Sequence, residues 1–269
     1  MTRSSILSTS ATMASIQATF VKPEKKLLRV LVTGFGPFKE IKTNPSWLAV
    51  KPLDNQTLEF TKPVGPAHPH APKSRSVETE AHISALEVPV TYSAVLNTIP
   101  PLHASKQYDI IIHAGVRRNM PGLVVERLAH KTGYNKPDAE DRLCDAIDGK
   151  PKVDDGGATV ERGFGRGFER FEEELKTSVD VDGIVKYLKS KGLEHTSPSD
   201  DPGRYLCDFI YYCSLACARK EGSNAKVLFL HVPPTGLPYQ VEDMTKAIEG
   251  IIEYLALDGF GSQDSVVNQ

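Results

Sequence analysis

No run of the sequence approaches the ~20 consecutive apolar residues that a membrane-spanning helix needs. The N-terminal stretch also lacks the apolar core of a secretory signal. Cysteine is scarce. Cys144, Cys207, Cys213 and Cys217 form no CxxC pair and stand in no paired-histidine spacing, which argues against a structural zinc site. Four thiols are also too few for a disulfide framework in a chain of 269 residues. Excess charge of either sign is missing too: the net charge is -2 with 25% charged residues, so the basic footprint of a nucleic-acid or anionic-membrane binder is excluded. These absences together lead us to expect a soluble, cytoplasmic protein with reduced thiols and neither nucleic acid nor membrane as a partner.

The composition is 40% apolar, enough for a sizeable core in one large α/β domain. Residues 1–26 are rich in Ser and Thr, hold no acid before Glu24 and show no period, so they read as an N-terminal extension, and 258–269 as a flexible tail. The stretch 61–80, TKPVGPAHPHAPKSRSVETE, packs Pro and His without hydrophobic pattern and reads as an exposed loop insertion within a domain spanning 27–257. The remainder alternates. LLRVLVTG (27–34), LEVPVTY (86–92), YDIIIHAGV (108–116) and KVLFLHV (226–232) read as strands. TNPSWLAV (43–50) reads as a helix with Asn44 as N-cap and Pro45 in its first turn. Helices are also expected at 178–192, 207–220 and 241–256, with a further one at 93–107 broken by Pro100 and Pro101, while 149–167 reads as loop. Such alternation implies a three-layer α/β/α sandwich with a mainly parallel twisted sheet, in which chemistry gathers at the carboxyl ends of strands.

Three residues stand where that chemistry would be. His231 ends an apolar strand and is followed by the stiff turn PPTG, although a histidine there is also a common packed core residue. Cys207 follows the polar turn SDDPG and opens an apolar helix, where free N–H groups and the macrodipole favour a thiolate and lower its pKa. A small buried core filler fits it as well, and fits Cys213 and Cys217 better. Glu126, in LVVERLAH, would orient an imidazole if the fold brought it near, yet locally it reads as one half of a surface pair with Arg127.

Resemblance decides among these readings. TGFGPF with NPSW, then VVERLAH with GY, then DPGRYLCDFIYY, then FLHVPPTGLPY resemble, in order, the successive signatures of the pyroglutamyl-peptidase I family of cysteine exopeptidases, with the cysteine and histidine segments most like the animal members. The match runs from about 27 to 256. It implies Cys207 as nucleophile, His231 as general base and Glu126 as the acid, with Phe35, Phe38, Asn44, Tyr205 and Leu206 around a pocket for the pyroglutamyl ring. It further implies peptides with an N-terminal pyroglutamate as substrates, a thioester intermediate, and no cofactor or metal. Two positions depart from the family pattern: Val116 stands where many bacterial members have Gln, and Lys136 where an Arg credited with oxyanion stabilisation is usual. Backbone N–H groups at Cys207 would then carry more of that role. Other readings left open are a different cysteine acyl hydrolase, an inactive binding module, and a nucleoside phosphorylase-like enzyme, because fold alone does not choose function.

Overall fold

The computed structural model describes residues 25–64, 75–147, 152–154 and 157–257. In chain order its elements are β1 (Lys25–Phe35), α1 (Pro45–Val50), β2 (Thr57–Val64), β3 (Arg75–Val88), α2 (Tyr92–Ala104), β4 (Ile110–Val116), β5 (Leu123–Glu126), β6 (Leu128–His130), β7 (Lys152–Asp154), β8 (Gly157–Thr159), β9 (Glu174–Lys176), α3 (Val181–Ser190), β10 (Thr196–Ser199), α4 (Leu206–Lys220), β11 (Lys226–Val232) and α5 (Val241–Leu257). A seven-stranded sheet runs in the order β10-β5-β11-β4-β1-β3-β2. Its centre is parallel, β11 with β4, β4 with β1, and β1 with β3. β5 runs antiparallel to β11, and β2 antiparallel to β3.

The continuous apolar strands are explained by burial on both faces. Side chains alternate along a strand, and here the alternation sorts them into two cores. Val30, Val32, Ile110, Ile112, Leu228 and Leu230 face one core, which α1, α3 and α5 cover with residues such as Ala49, Ile184, Leu188, Ile248 and Ile251. Leu31, Ile111, Val227 and Phe229 face the other, filled by Val95 and Ile99 of α2 and by Phe209, Tyr212, Cys213 and Cys217 of α4. The result is the three-layer arrangement expected from the sequence. Gly34 is required where α1 crosses β1, since a Cβ there would stand 2.7 Å from the Trp47 Cα and 2.8 Å from the Ser46 carbonyl oxygen.

Five expectations need correction. β1 begins at Lys25, inside the stretch read as an extension; residues 1–24 and 258–269 lie outside the described residues. The stretch 61–80 is in part a strand pair, β2 against β3, with 65–74 and the two histidines His68 and His70 outside the described residues. The pattern was hidden because Pro63 is tolerated on an edge strand, while Thr79, Ala81 and Ile83 alternate into the core beyond it. The alternation of Val88, Val90 and Tyr92 spans a strand end and a helix start: β3 stops at Val88, and Thr91 caps α2 by accepting from the Ala94 N–H at 3.2 Å. That helix then continues through Pro100 and Pro101. Each interior proline costs about 3 kcal/mol, but Val95, Ile99 and His103 remain buried at helical spacing, and His103 Nε2 meets the Ser214 hydroxyl of α4 at 2.7 Å. Within 149–167, β7 and β8 form a small hairpin rather than plain loop.

Candidate active site

The alternation that divides the two cores also assembles the site. His231 and Phe229 lie two apart on β11 and share the face that α4 covers. Glu126 pairs with Phe229 across the antiparallel β5, so it sits on that same face, diagonal to His231. The diagonal closes as a hydrogen bond: His231 Nδ1 donates to Glu126 Oε1 at 2.7 Å, with both side chains buried. A carboxylate accepting at Nδ1 fixes the proton there and leaves the Nε2 lone pair available.

On the other side of β11, His231 pairs with Gly115 of β4. A Cβ at Gly115 would lie 2.7 Å from Cys207 Sγ and 2.8 Å from Phe229 Cζ. The sulfur therefore rests in the space that the missing side chain leaves, beside the strand position of the imidazole. Cys207 is the second residue of α4, whose first-turn N–H groups have no partners within the helix. The residue is half-buried, with its sulfur turned inward against Gly115 and Phe229.

The electrostatics run against the lowered thiol pKa expected from a helix start. Burial pushes the Cys207 thiol up to about 12, helped by the Glu126 and Asp208 carboxylates and opposed by the Arg117 guanidinium. Burial also lowers the His231 imidazole, with Glu126 working the other way and Arg117 adding to the lowering. Both shifts favour a neutral thiol beside a neutral imidazole at rest. Glu126 is no surface partner of Arg127, which pairs with Asp182 and Asp200; the Glu126 carboxylate instead receives Arg117 Nη1 at 3.2 Å.

The residues expected around a pocket divide into two sets. Phe38 is half-buried, and its ring centroid lies 5.5 Å from that of Tyr205, whose hydroxyl donates to the Pro137 carbonyl at 3.0 Å. Phe35 and Leu206 are almost fully buried, in the core against which Phe38 and Tyr205 also pack. The Asn44 side chain is occupied by the loop: its Nδ2 donates to the Gly36 carbonyl at 3.0 Å, and its Oδ1 accepts from the Ser46 N–H at 3.2 Å and hydroxyl at 2.9 Å. It caps α1 as expected and pins the Gly36 turn.

Val116 ends β4 half-buried, and Lys136 is exposed, its carbonyl accepting from the Tyr92 hydroxyl at 2.8 Å. Sequence reasoning missed Arg117 and Gly115. The available signal was a charged residue directly after a buried strand, two positions past a glycine near the strand's end. A cavity of about 630 Å³ lies farther along α4, against Tyr92, Cys144, Phe164 and Phe209, and includes none of Cys207, His231 and Glu126. Among the described residues no group of histidine, cysteine and carboxylate side chains is arranged to hold a metal ion, and no helix is long and apolar enough to cross a membrane.

The profile of the family described as pyroglutamyl peptidase matches residues 28–62 and 60–251. The human Pyroglutamyl-peptidase 1 is 31% identical over 240 residues, covering 89% of this chain and 94% of its own. The pyrrolidone-carboxylate peptidase of Thermococcus kodakarensis is 28% identical over 207 residues, 77% of this chain and 81% of its own. The crystal structure of Bacillus amyloliquefaciens pyroglutamyl peptidase I has the same fold, with a TM-score of 0.64 at 21% identity over 85% of this chain and 97% of that one. The chain belongs to the pyroglutamyl peptidase family and is a peptidase of that class.

Proposed function

We propose that the protein hydrolyses the amide bond after an N-terminal pyroglutamyl residue of peptides, with Cys207 as nucleophile, His231 as general base and then acid, and Glu126 orienting the imidazole. The observation that carries this reading is the buried Glu126–His231 hydrogen bond next to a thiol seated over Gly115. As the sulfur attacks the carbonyl carbon of the pyroglutamyl residue, its proton passes to His231 Nε2, and Glu126 stabilises the imidazolium that forms. The oxyanion is received by N–H groups of the first turn of α4, which carry partial positive charge without intrahelical partners. The imidazolium then protonates the departing amine, leaving a thioester on Cys207. Water deprotonated by His231 attacks that thioester and releases pyroglutamate and the free thiol. Every proton in the cycle is accounted for by the imidazole, the thiol and water.

The substrate class follows from what its N-terminus lacks. A pyroglutamyl nitrogen is closed into a lactam and carries no charge, so recognition requires a small apolar slot with a few hydrogen bonds. In this reading the Phe38 and Tyr205 rings, which touch each other, line that slot, Phe35 and Leu206 belong to the core it borders, and Asn44 holds the Gly36 turn; the ring contact and the Asn44 hydrogen bond support it. The four unpaired thiols suit a reducing compartment, and we place the enzyme in the cytoplasm. The test is release of a chromophore from a pyroglutamyl amide by wild type beside Cys207→Ala. Turnover retained by the alanine variant sinks the reading.

A further inference from the structure

We propose that Arg117 is a positioning residue for this reaction: one guanidinium clamps the Glu126 carboxylate against His231 and ties both to the turn that delivers Cys207. The inference rests on the catalytic roles proposed above. Arg117 Nη1 donates to Glu126 Oε1 at 3.2 Å, the same oxygen that accepts from His231 Nδ1 at 2.7 Å. It also donates to the Asp201 carbonyl at 3.1 Å. Asp201 belongs to the turn before α4, and its Oδ1 accepts from the Gly203 N–H at 3.0 Å, which shapes the approach to Cys207. The root of Arg117 is fixed as well, its own N–H donating to the Val232 carbonyl at 2.9 Å, one residue past the imidazole.

Glu126 needs such a partner. Its side chain is wholly buried, and its Oε2 meets no hydrogen-bond donor among the described residues, so all its contacts fall on one oxygen. A neutral imidazole alone is a poor counterpart for a buried anion. Arg117 supplies the opposite charge while keeping 28% of its side chain in contact with solvent, which spares most of its own desolvation.

Packed around His231 are Glu126 from β5, with Arg117, just past β4, on that carboxylate, and the Phe229 ring two residues back on β11; Cys207 Sγ sits over Gly115, the strand partner of His231, and Asp208 one residue on is held by His130 and Arg204. Within this set Arg117 is the cation next to Glu126, and its charge works against protonation of His231 and for ionisation of Cys207. Removing the charge therefore makes His231 easier to protonate and Cys207 harder to ionise. The acid limb of the kcat/KM profile moves to higher pH, and thiol alkylation at neutral pH slows.

The experiment compares Arg117→Gln, Arg117→Lys, Glu126→Gln and the double variant Arg117→Gln/Glu126→Gln on a chromogenic pyroglutamyl amide, with Cys207→Ala as reference. For Arg117→Gln we expect kcat/KM to fall about tenfold, mainly in kcat, as for loss of one hydrogen bond to a charged group, with the acid limb displaced upward. Arg117→Lys keeps the charge, so its acid limb should stay at the wild-type position while kcat drops. In the Glu126→Gln background Arg117→Gln should cost clearly less than in wild type, since the carboxylate half of its action is already gone and only the tie to the Asp201 carbonyl remains. Wild-type kcat/KM with an unmoved acid limb in Arg117→Gln, or full additivity in the double variant, overturns the proposal. If Arg117→Gln fails to fold, Arg117→Lys carries the test, and an unchanged kcat there overturns it. Activity retained by Cys207→Ala would instead condemn the catalytic assignment itself, so the two failures are separable.

Discussion

Gly115→Ala is the sharpest probe of the site, because it adds one methyl group at the junction of the proposed nucleophile, Cys207, and the sheet. The new Cβ would stand 2.7 Å from Cys207 Sγ and 2.8 Å from Phe229 Cζ. Non-bonded heavy atoms settle at roughly 3.5–4 Å, so the sulfur and the ring must together retreat by about 1 Å. Gly115 holds an ordinary strand register opposite His231, which an alanine backbone adopts without difficulty, so lack of side-chain space is the whole effect. A misplacement of about 1 Å costs about 100-fold in rate when the reacting geometry is set by the fold. Overpacking a tight core costs about 1–3 kcal/mol, which leaves most of the protein folded. We expect kcat/KM on a pyroglutamyl amide to fall about 100-fold, with a modest drop in Tm and a changed rate of Cys207 alkylation. An alanine variant with wild-type kcat/KM would show that the sulfur does not need this space, and the seating of the nucleophile over β4 would be wrong.

Cys207→Ser or Cys207→Ala should abolish turnover with near-UV circular dichroism unchanged. Limited alkylation followed by peptide mapping should mark Cys207 first, because Cys144, Cys213 and Cys217 are buried; inactivation that tracks labelling of another cysteine would refute this. Phe38→Ala, at a half-buried ring against Tyr205, should raise KM by about tenfold while changing Tm little. An unchanged KM would remove Phe38 from the pocket. Acid should weaken the fold through two histidines of the core beneath α4. His113, bonded to the Thr33 hydroxyl at 2.8 Å, is pulled down to about 3 by burial, and His103 to about 4 by the same cause. Unfolded, each takes a proton near pH ~6.5, so stability falls as pH drops below that value by about 1.4 kcal/mol per unit for each. Asp208, lifted to about 6 by burial, opposes this below pH 6 but offsets only one of the two. Urea unfolding at pH 7, 6 and 5 checks the slope, and a stability that rises on acidification would contradict it.

The architecture was legible because each central strand is apolar on both faces, α3 and α5 each carry one regular stripe, and α4 is apolar nearly all round, so Ile110–Val116 and Val181–Ser190 announced themselves. Failures occurred where two patterns overlapped or were diluted. Val88, Val90 and Tyr92 alternate across a strand end and a helix start, and tertiary burial of Ile99 and His103 overrides the two prolines between them. The antiparallel course of β5 was not legible, yet it is what sets Glu126 diagonal to His231 rather than at a remote sheet end. Pairing of Cys207, His231 and Glu126 came from resemblance alone, because strand order is a long-range property that local spacing does not encode. Arg117 and Gly115 escaped for the same reason: their partners lie on other elements, β5, β11, α4 and the turn before it.

The protonation state of Cys207 shows where a local rule yields to its surroundings. A helix start favours an anion by about 0.3–1 kcal/mol when it is exposed, whereas enclosing a sulfur between β4, β11 and α4 withdraws the water that would stabilise its charge. Glu126 and Asp208 add like charge on two sides, and the thiol rises to about 12 while the imidazole falls. Under the proposed roles a neutral resting pair has a chemical consequence: the Cys207 thiolate would form only as its proton moves to His231 during attack on a bound carbonyl. Under that regime the charge that develops at transfer, positive on the imidazole and negative on the substrate oxygen, is what the protein must stabilise. In the mechanism proposed above, Glu126 would meet the first and the opening turn of α4 the second, so a pair poorly ionised at rest would still suit the charges of the transition state.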